Sequence, residues 1–230
     1  MSKAVVCFSG GQDSTTALGL ALKKYDEVYT IGFFYGQRHA VEMDCRQYIL
    51  KNIQNVLGVN SLRDDLIVDL QSFGALSDCA LTKDSPIVMD PTKKLPTSFV
   101  PARNLLFATY AAAYAYRVGA HDVLLGISET DYSGYPDCRH EAIQPLEQAL
   151  TAGMEYPIRL LSPFMFKSKA QEWQTAEEVG GKTFVDFIVN ETHTCYEGDH
   201  VTRHAWGFGC GKCPACSLRA EGFKNYEEHR

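Results

Sequence analysis

The sequence predicts an α/β protein built on a parallel sheet, and three observations carry that prediction. Short apolar runs alternate with segments of helical period along most of the chain. A glycine-rich turn, Ser9-Gly10-Gly11-Gln12-Asp13-Ser14, joins the first apolar run to the first helical one. Four cysteines gather near the C-terminus, outside the alternating pattern.

Composition sets the bounds. With 230 residues, 45% of them hydrophobic, the chain fills one sizeable core and has residues left for a small appendage. A net charge of -6 argues against direct binding of nucleic acid. The N-terminus lacks the apolar length of a signal peptide and no stretch reaches membrane-spanning length, so a cytoplasmic protein without membrane contact is expected. In that reducing compartment eight cysteines point to metal binding or catalysis rather than to disulfides.

The elements follow in order. Ala4 to Phe8 is continuously apolar, as a strand covered on both faces must be, and Ala17, Leu18, Ala21, Leu22 and Tyr25 recur with helical spacing. Val28 to Tyr35 is aromatic and β-branched, and Val41, Cys45, Ile49, Ile53 and Val56 form a second helical stripe that stops at Gly58. Leu66 to Leu70 predicts a third strand, Asn104 to Val118 a helix, Asp122 to Ile127 a fourth strand, Ile158 to Leu161 a fifth, and Ser168 to Val179 a further helix. Residues 71–101 lack a period and contain Pro86, Pro91, Pro96 and Pro101, which marks an excursion from the sheet.

The turn at Phe8, Ser9, Gly10, Gly11, Gln12, Asp13, Ser14, Thr15 and Thr16 lies where a strand's carboxyl end meets a helix N-terminus. Backbone N–H groups there, helped by the helix dipole, form a site for phosphate. Gly10 and Gly11 let the backbone approach, Ser9, Ser14 and Thr15 offer hydroxyls, and Asp13 is placed to hold Mg²⁺. Read blandly, the same residues make a tight turn with capping hydroxyls. The pattern matches neither the dinucleotide nor the Walker fingerprint. A Walker look-alike at 176–183, ending Gly181-Lys182-Thr183, follows a helix and two glutamates, and reads instead as a helix C-cap at Gly180-Gly181.

Cys195, Cys210, Cys213 and Cys216 are spaced C-x14-C-x2-C-x2-C, a set that closes a tetrahedral Zn²⁺ site of one ion per chain. The C-x2-C-x2-C run also suits an iron–sulfur cluster. His200 and His204 read as solvated, and Cys7 and Cys45 as buried packing. Two polar stretches have no structural excuse: SFVPARN (98–104), and GISETDYSGYPDCR (126–139) after the fourth strand. Crevices at those strand ends bind ligands. Asp131, Tyr135, Asp137 and Arg139 combine carboxylates, a flat ring and a cation, which suits a flat heterocycle bearing an acid.

Ser-Gly-Gly-x-Asp-Ser after a first strand resembles the pyrophosphatase-loop adenylating enzymes, which cut ATP between its α and β phosphates. Taken together, FSGGQDSTT, YGQRH, SFVPARN, GISETDYSGYPDCR, SPFMFKSKA, TCY and CGKCPACSLRAEGF resemble the 7-cyano-7-deazaguanine synthase family, in the same order and over nearly the whole chain. The resemblance implies a Rossmann-like five-stranded sheet of order 3-2-1-4-5, of the adenine nucleotide alpha hydrolase-like type, with a C-terminal four-cysteine zinc knuckle. It divides the chain into an adenylating domain, 1–190, and a zinc-binding segment, 191–230. It implies a C–N-forming ligase that uses ATP, Mg²⁺ and ammonia to turn 7-carboxy-7-deazaguanine into the nitrile used for queuosine, and that acts as a homodimer. Asp13, Ser14, Lys169 and Arg103 become the catalytic candidates, with Arg38 beside Arg103 as a second choice for the cation and Lys167 read as solvated. A deazaguanine amide-transferring enzyme acting on a protein amine shares these motifs, and a tRNA-thiolating enzyme shares the loop. Against the family pattern, Ala102 stands where glycine is expected, Ser128 where cysteine is expected, and the segment between Cys195 and Cys210 is longer.

Overall fold

In the computed structural model the described residues are 1–37, 41–76, 79–81, 85–129 and 135–230. Their frame is a five-stranded sheet of β1 (Lys3–Cys7), β2 (Glu27–Phe34), β3 (Leu62–Asp69), β4 (Asp122–Leu125) and β5 (Arg159–Leu161). Its order is β3-β2-β1-β4-β5 and every pairing is parallel, as expected. Central β1 pairs on both sides, Val6 facing Thr30 of β2 and Leu124 of β4. Successive residues of β1 therefore feed two cores. Ala4 and Val6 pack among α1 (Gln12–Lys24), α2 (Val41–Leu57), the short α3 (Gln71–Gly74) lying elsewhere, and the later helices α6 (Lys169–Glu191) and α7 (Pro214–Glu228). Val5 packs on the opposite face with α4 (Arg103–Val118) and α5 (His140–Met154). Burial on both faces is why β1 has no polar residue between Ala4 and Val6.

The structure alters four expectations. β3 begins at Leu62 rather than Leu66 because Arg63, Asp64 and Asp65 extend an edge strand, where charged side chains stay exposed. The helix expected to end at Val179 resumes after a break at Gly180 (φ −146°, ψ 19°) and Gly181 (φ 63°, ψ −167°) and runs to Glu191. Helices α5 and α7 were not predicted: α5 carries Pro145, and α7 begins inside the cysteine cluster. The long spacing before Cys210 contains a two-residue hairpin, β6 (Arg203–His204) with β7 (Gly207–Phe208). Among the described residues no helix is long and apolar enough to cross a membrane.

Candidate active site

The site lies where the carboxyl ends of β1 and β4 diverge into helices on opposite faces of the sheet. Phe8-Ser9-Gly10-Gly11 leaves β1 and α1 starts at Gln12, with extended Gly11 as N-cap. Ser14 organises the turn: its hydroxyl donates to the Gly11 carbonyl (3.1 Å), accepts from the Ser9 N–H (3.2 Å) and meets the Ser9 hydroxyl at 3.1 Å. Thr15 and Thr16 instead donate back to the carbonyls of Gly11 (2.8 Å) and Gln12 (3.0 Å), so these two hydroxyls stabilise the first turn and are buried. Gly10, at φ +95°, has no room for a Cβ, which would lie 2.7 Å from the Glu42 carbonyl oxygen. Gly126, just past β4, presses on α1 so closely that a Cβ would stand 2.8 Å from the Ser14 nitrogen.

A cavity of about 320 Å³ opens beside this turn, lined by Phe8, Ser9, Gly11, Gln12, Asp13 and Ser14 on one wall. Lys169 reaches it from α6. Ser168 caps that helix, accepting from the Gln171 N–H (3.3 Å) while its own N–H donates to the Gln171 side chain (2.8 Å). The cap fixes Lys169 at the helix's first position, buried, with Nζ 2.9 Å from both Asp13 Oδ1 and Glu172 Oε2. Burial works against the Asp13 charge, but Lys169 outweighs it and holds the carboxyl below its ordinary range. Lys167, expected to be solvated, is half-buried and donates to Thr175 Oγ1 at 2.8 Å.

The facing wall brings the two polar stretches together. Arg103 opens α4 and lies over the rings of Tyr35 and Tyr135, 5.9 and 5.6 Å from their centroids. Tyr135 is fixed by Ser98, hydroxyl to hydroxyl at 2.6 Å. Asp137 is buried behind this wall, accepting the Asn104 N–H at 2.9 Å and so capping α4. Arg139 does not line the cavity; its side chain is 44% exposed and, among the described residues, it pairs with Glu141 at 3.5 Å. Asp131 and Arg38 lie outside the described residues.

Further residues line the cavity that were not singled out from the sequence, among them Glu42 and Arg46 from α2, His193 after α6, and Arg219 from α7. Arg46 is buried, donates to the Phe8 carbonyl (3.0 Å) and forms a bidentate pair with Asp65, so it ties the turn to β3. Burial raises the Glu42 carboxyl to about 7, opposed by the Arg103 charge. The His193 N–H donates to the Gly10 carbonyl (3.3 Å), and burial lowers its ring to about 4. Arg219 is buried on neutral acceptors, the carbonyls of Trp206 (3.0 Å) and Ile188 (3.1 Å) and the Thr194 hydroxyl (2.8 Å), and burial lowers it to about 10. A sequence signal existed for three of these: Glu42, Cys45, Arg46, Ile49 and Ile53, and likewise Cys216, Arg219, Phe223 and Tyr226, put charge on a buried helical stripe.

At the edge of the cavity, which Cys195 itself lines, Cys195, Cys210, Cys213 and Cys216 place their sulfurs within 4.8 Å of one another. Four thiolates around one tetrahedral ion at about 2.3 Å stand about 3.8 Å apart, so the set fits a single thiophilic metal and leaves no room for four irons and their sulfides. The N–H groups of Cys210, Lys212 and Cys213 point at cluster sulfurs (3.3–3.4 Å), which favours thiolates. Gly209 is required, since a Cβ would lie 2.6 Å from the Cys216 sulfur. His200 and His204 are not solvated as expected: His200 faces His193 (Nδ1 to Nδ1, 3.2 Å), and His204 stacks on Trp206 and meets the Gly209 carbonyl at 2.9 Å. Cys45 is buried, as expected, with its sulfur 3.9 Å from the His200 ring.

Comparison with known proteins places this geometry. The model for queuosine biosynthesis protein QueC matches residues 3–227. A 7-cyano-7-deazaguanine synthase of Alkalilimnicola ehrlichii is 51% identical over 97% of this chain and 94% of the relative. A second, from Azorhizobium caulinodans, is 50% identical over 100% of this chain and 95% of the relative. Among solved structures, a 4-thiouridine synthetase–RNA complex with bound ATP superimposes with a TM-score of 0.55 at 19% identity, over 99% of this chain and 51% of that longer one, a likeness of fold.

Proposed function

The chain belongs to the family of queuosine biosynthesis protein QueC, and we propose that it is a ligase converting 7-carboxy-7-deazaguanine and ammonia to 7-cyano-7-deazaguanine at the expense of two ATP. The observation that carries this is one cavity with two unlike walls, a phosphate-type turn at residues 8–14 opposite the aromatic and cationic wall of Tyr35, Arg103 and Tyr135. ATP bound on the first wall presents its α-phosphate to a carboxylate carried by a flat base on the second.

The base carboxylate attacks the α-phosphate, and pyrophosphate leaves into the turn, where the N–H groups at the start of α1 and the Ser9 and Ser14 hydroxyls receive it. Ammonia then displaces AMP and leaves the amide. A second ATP activates the amide oxygen, and departure of AMP leaves the nitrile. Lys169 and Arg103 supply positive charge as the phosphates become more negative. Asp13, held ionised by Lys169, would hold Mg²⁺, which supplies further charge neutralisation on the phosphates. Tyr135 offers its ring to the base, while Asp137 holds the wall in place; Asp131 and Arg139 remain proposed contacts from the sequence.

The four cysteines hold one zinc per chain, in a structural role. Residues 1–190 are the adenylating unit and 191–230 the zinc-binding segment. We further propose a cytoplasmic homodimer that makes no direct contact with nucleic acid. The decisive experiment incubates the protein with ATP, Mg²⁺, ammonium and 7-carboxy-7-deazaguanine and weighs the products. The expected masses are those of the nitrile, AMP and pyrophosphate; ADP and phosphate, or a base left unchanged, would exclude the proposal.

A further inference from the structure

Amination of an acyl adenylate leaves a proton that must go somewhere. The nitrogen lone pair forms the C–N bond, the bond from the acyl carbon to the AMP oxygen breaks with its electron pair, and AMP leaves with that oxygen on its phosphate. The nitrogen then carries one hydrogen too many for a neutral amide, and a base must take it.

Glu42 stands where that base is needed. It lies in the first turn of α2, and its backbone abuts Gly10 of the phosphate-type turn, leaving no space for a Cβ there. Glu42 lines the same cavity as Ser9 and Ser14 on one side and Arg103 and Tyr135 on the other. The acyl carbon joins the α-phosphate to the base, so it too must sit between those walls. Among the described residues the other titratable side chains facing it are engaged, His193 after α6 between the Cys195 carbonyl (3.0 Å) and the His200 ring (3.2 Å). Arg46, on the same helix, is paired with Asp65; Lys169 from α6 bridges Asp13 of α1 and Glu172; Arg219 from α7 is held by carbonyls and a hydroxyl. Tyr35, at the end of β2, accepts from Arg103 at 3.4 Å.

We propose that Glu42 is the group that accepts the proton of the attacking ammonia, a catalytic role that rests on the amination chemistry proposed above. The carboxylate takes the surplus N–H proton as the C–N bond forms, and the resulting acid returns it to solvent. Burial suits the group to this task, because it brings the carboxyl to about 7, near the working pH of a cytoplasmic enzyme. Among the described residues the charge acting on it is Arg103. Glu42 must be ionised to accept, so the amination rate, referred to the concentration of unprotonated ammonia, rises with pH through about 7 and then levels.

The test separates the two half-reactions. Acid-dependent exchange of labelled pyrophosphate into ATP, without ammonia, reports adenylation; amide release on adding ammonium reports amination. For Glu42→Gln the ratio of amination to exchange is expected to fall about 100-fold, the usual scale of general-base catalysis, and the rise near neutral pH to vanish. Glu42→Asp keeps a carboxylate and is expected to restore part of the ratio together with a pH-dependent rise. A Glu42→Gln protein that aminates at the native ratio and with the native pH profile overturns the role of Glu42 while leaving the adenylation chemistry standing. Absence of exchange in the native protein overturns that chemistry and this role with it.

Discussion

Ala102 holds φ +62°, ψ +10° immediately before α4, a left-handed conformation in which a β-carbon is crowded. The strain survives because the turn delivers Arg103, whose N–H bonds to the Val100 carbonyl at 3.2 Å, into the cavity wall. Ala102→Gly relieves about 1–2 kcal/mol of crowding and loses about 0.5–1 kcal/mol to the looser unfolded chain. The thermal midpoint is therefore expected to rise by a few degrees with activity retained, and a lower midpoint would show that the methyl packs usefully. In the phosphate-type turn, Asp13→Ala removes one of the two carboxylates on Lys169, leaving Glu172, and Ser14→Ala removes the hydroxyl that links Ser9 to Gly11. Both variants are expected to fold, with AMP and pyrophosphate formation at least about 100-fold down; native AMP yields from both would remove the turn from the chemistry. This turn was legible in the sequence because its chemistry is local, consecutive residues acting on one ligand. Glu42, Arg46 and Arg219 were legible only as charges on buried stripes, because a charge on a helix becomes a site residue only through what the helix is packed against.

Strands and helices were legible to the extent that burial imposed a period on them. Four of the five strands were placed within two residues of an expected end, because both faces of the sheet are covered and the runs are nearly pure apolar sequence. β3 departs because it is an edge, and α5 because Ile143 is its only fully buried residue. A close dependence between elements is the approach of the chain after β4 to α1 at Gly126. Gly126→Ala places a methyl 2.8–3.0 Å from the Ser14 and Asp13 backbone, and backbone cannot rotate away as a side chain can. The expected result is a folded protein, destabilised by about 1–3 kcal/mol, whose turnover with ATP falls about 100-fold because the turn's donors shift by a fraction of an ångström or more. Unchanged turnover would mean that β4 and α1 separate without disturbing the turn. A kink allows α6 to serve two ends at once: Gly180 has Leu57 and Phe184 within 2.6 Å of where a Cβ would be, so the break packs against α2 while the far half carries the chain on to His193.

At the scale of the molecule, the C-terminal segment closes the cavity rather than merely following it. Tyr196, Ala215, Leu218 and Arg219 all belong to it and all line the main cavity, and the His193 N–H reaches back to the Gly10 carbonyl. Arg219 makes the junction specific, since its three acceptors come from the end of α6, the approach to Cys195 and the β6–β7 turn, while Gly207 leaves the space its guanidinium occupies. A metal that holds Cys195 to Cys216 therefore also holds one wall of the site. Structural zinc contributes on the order of 10 kcal/mol to such a cluster, far more than the hairpin of two-residue strands could supply alone. Stripping the metal with a strong chelator is expected to lower the thermal midpoint, to open residues beyond Glu191 to proteolysis, and to abolish pyrophosphate exchange in proportion to the metal lost. Cys216→Ser should reproduce all three effects in protein never exposed to chelator. Metal analysis should return about one zinc per chain from the native, colourless protein. If metal-free protein kept full exchange while its C-terminal segment was cleaved, the knuckle would be a separable appendage, and the wall formed by Tyr196 and Arg219 would have no part in the chemistry.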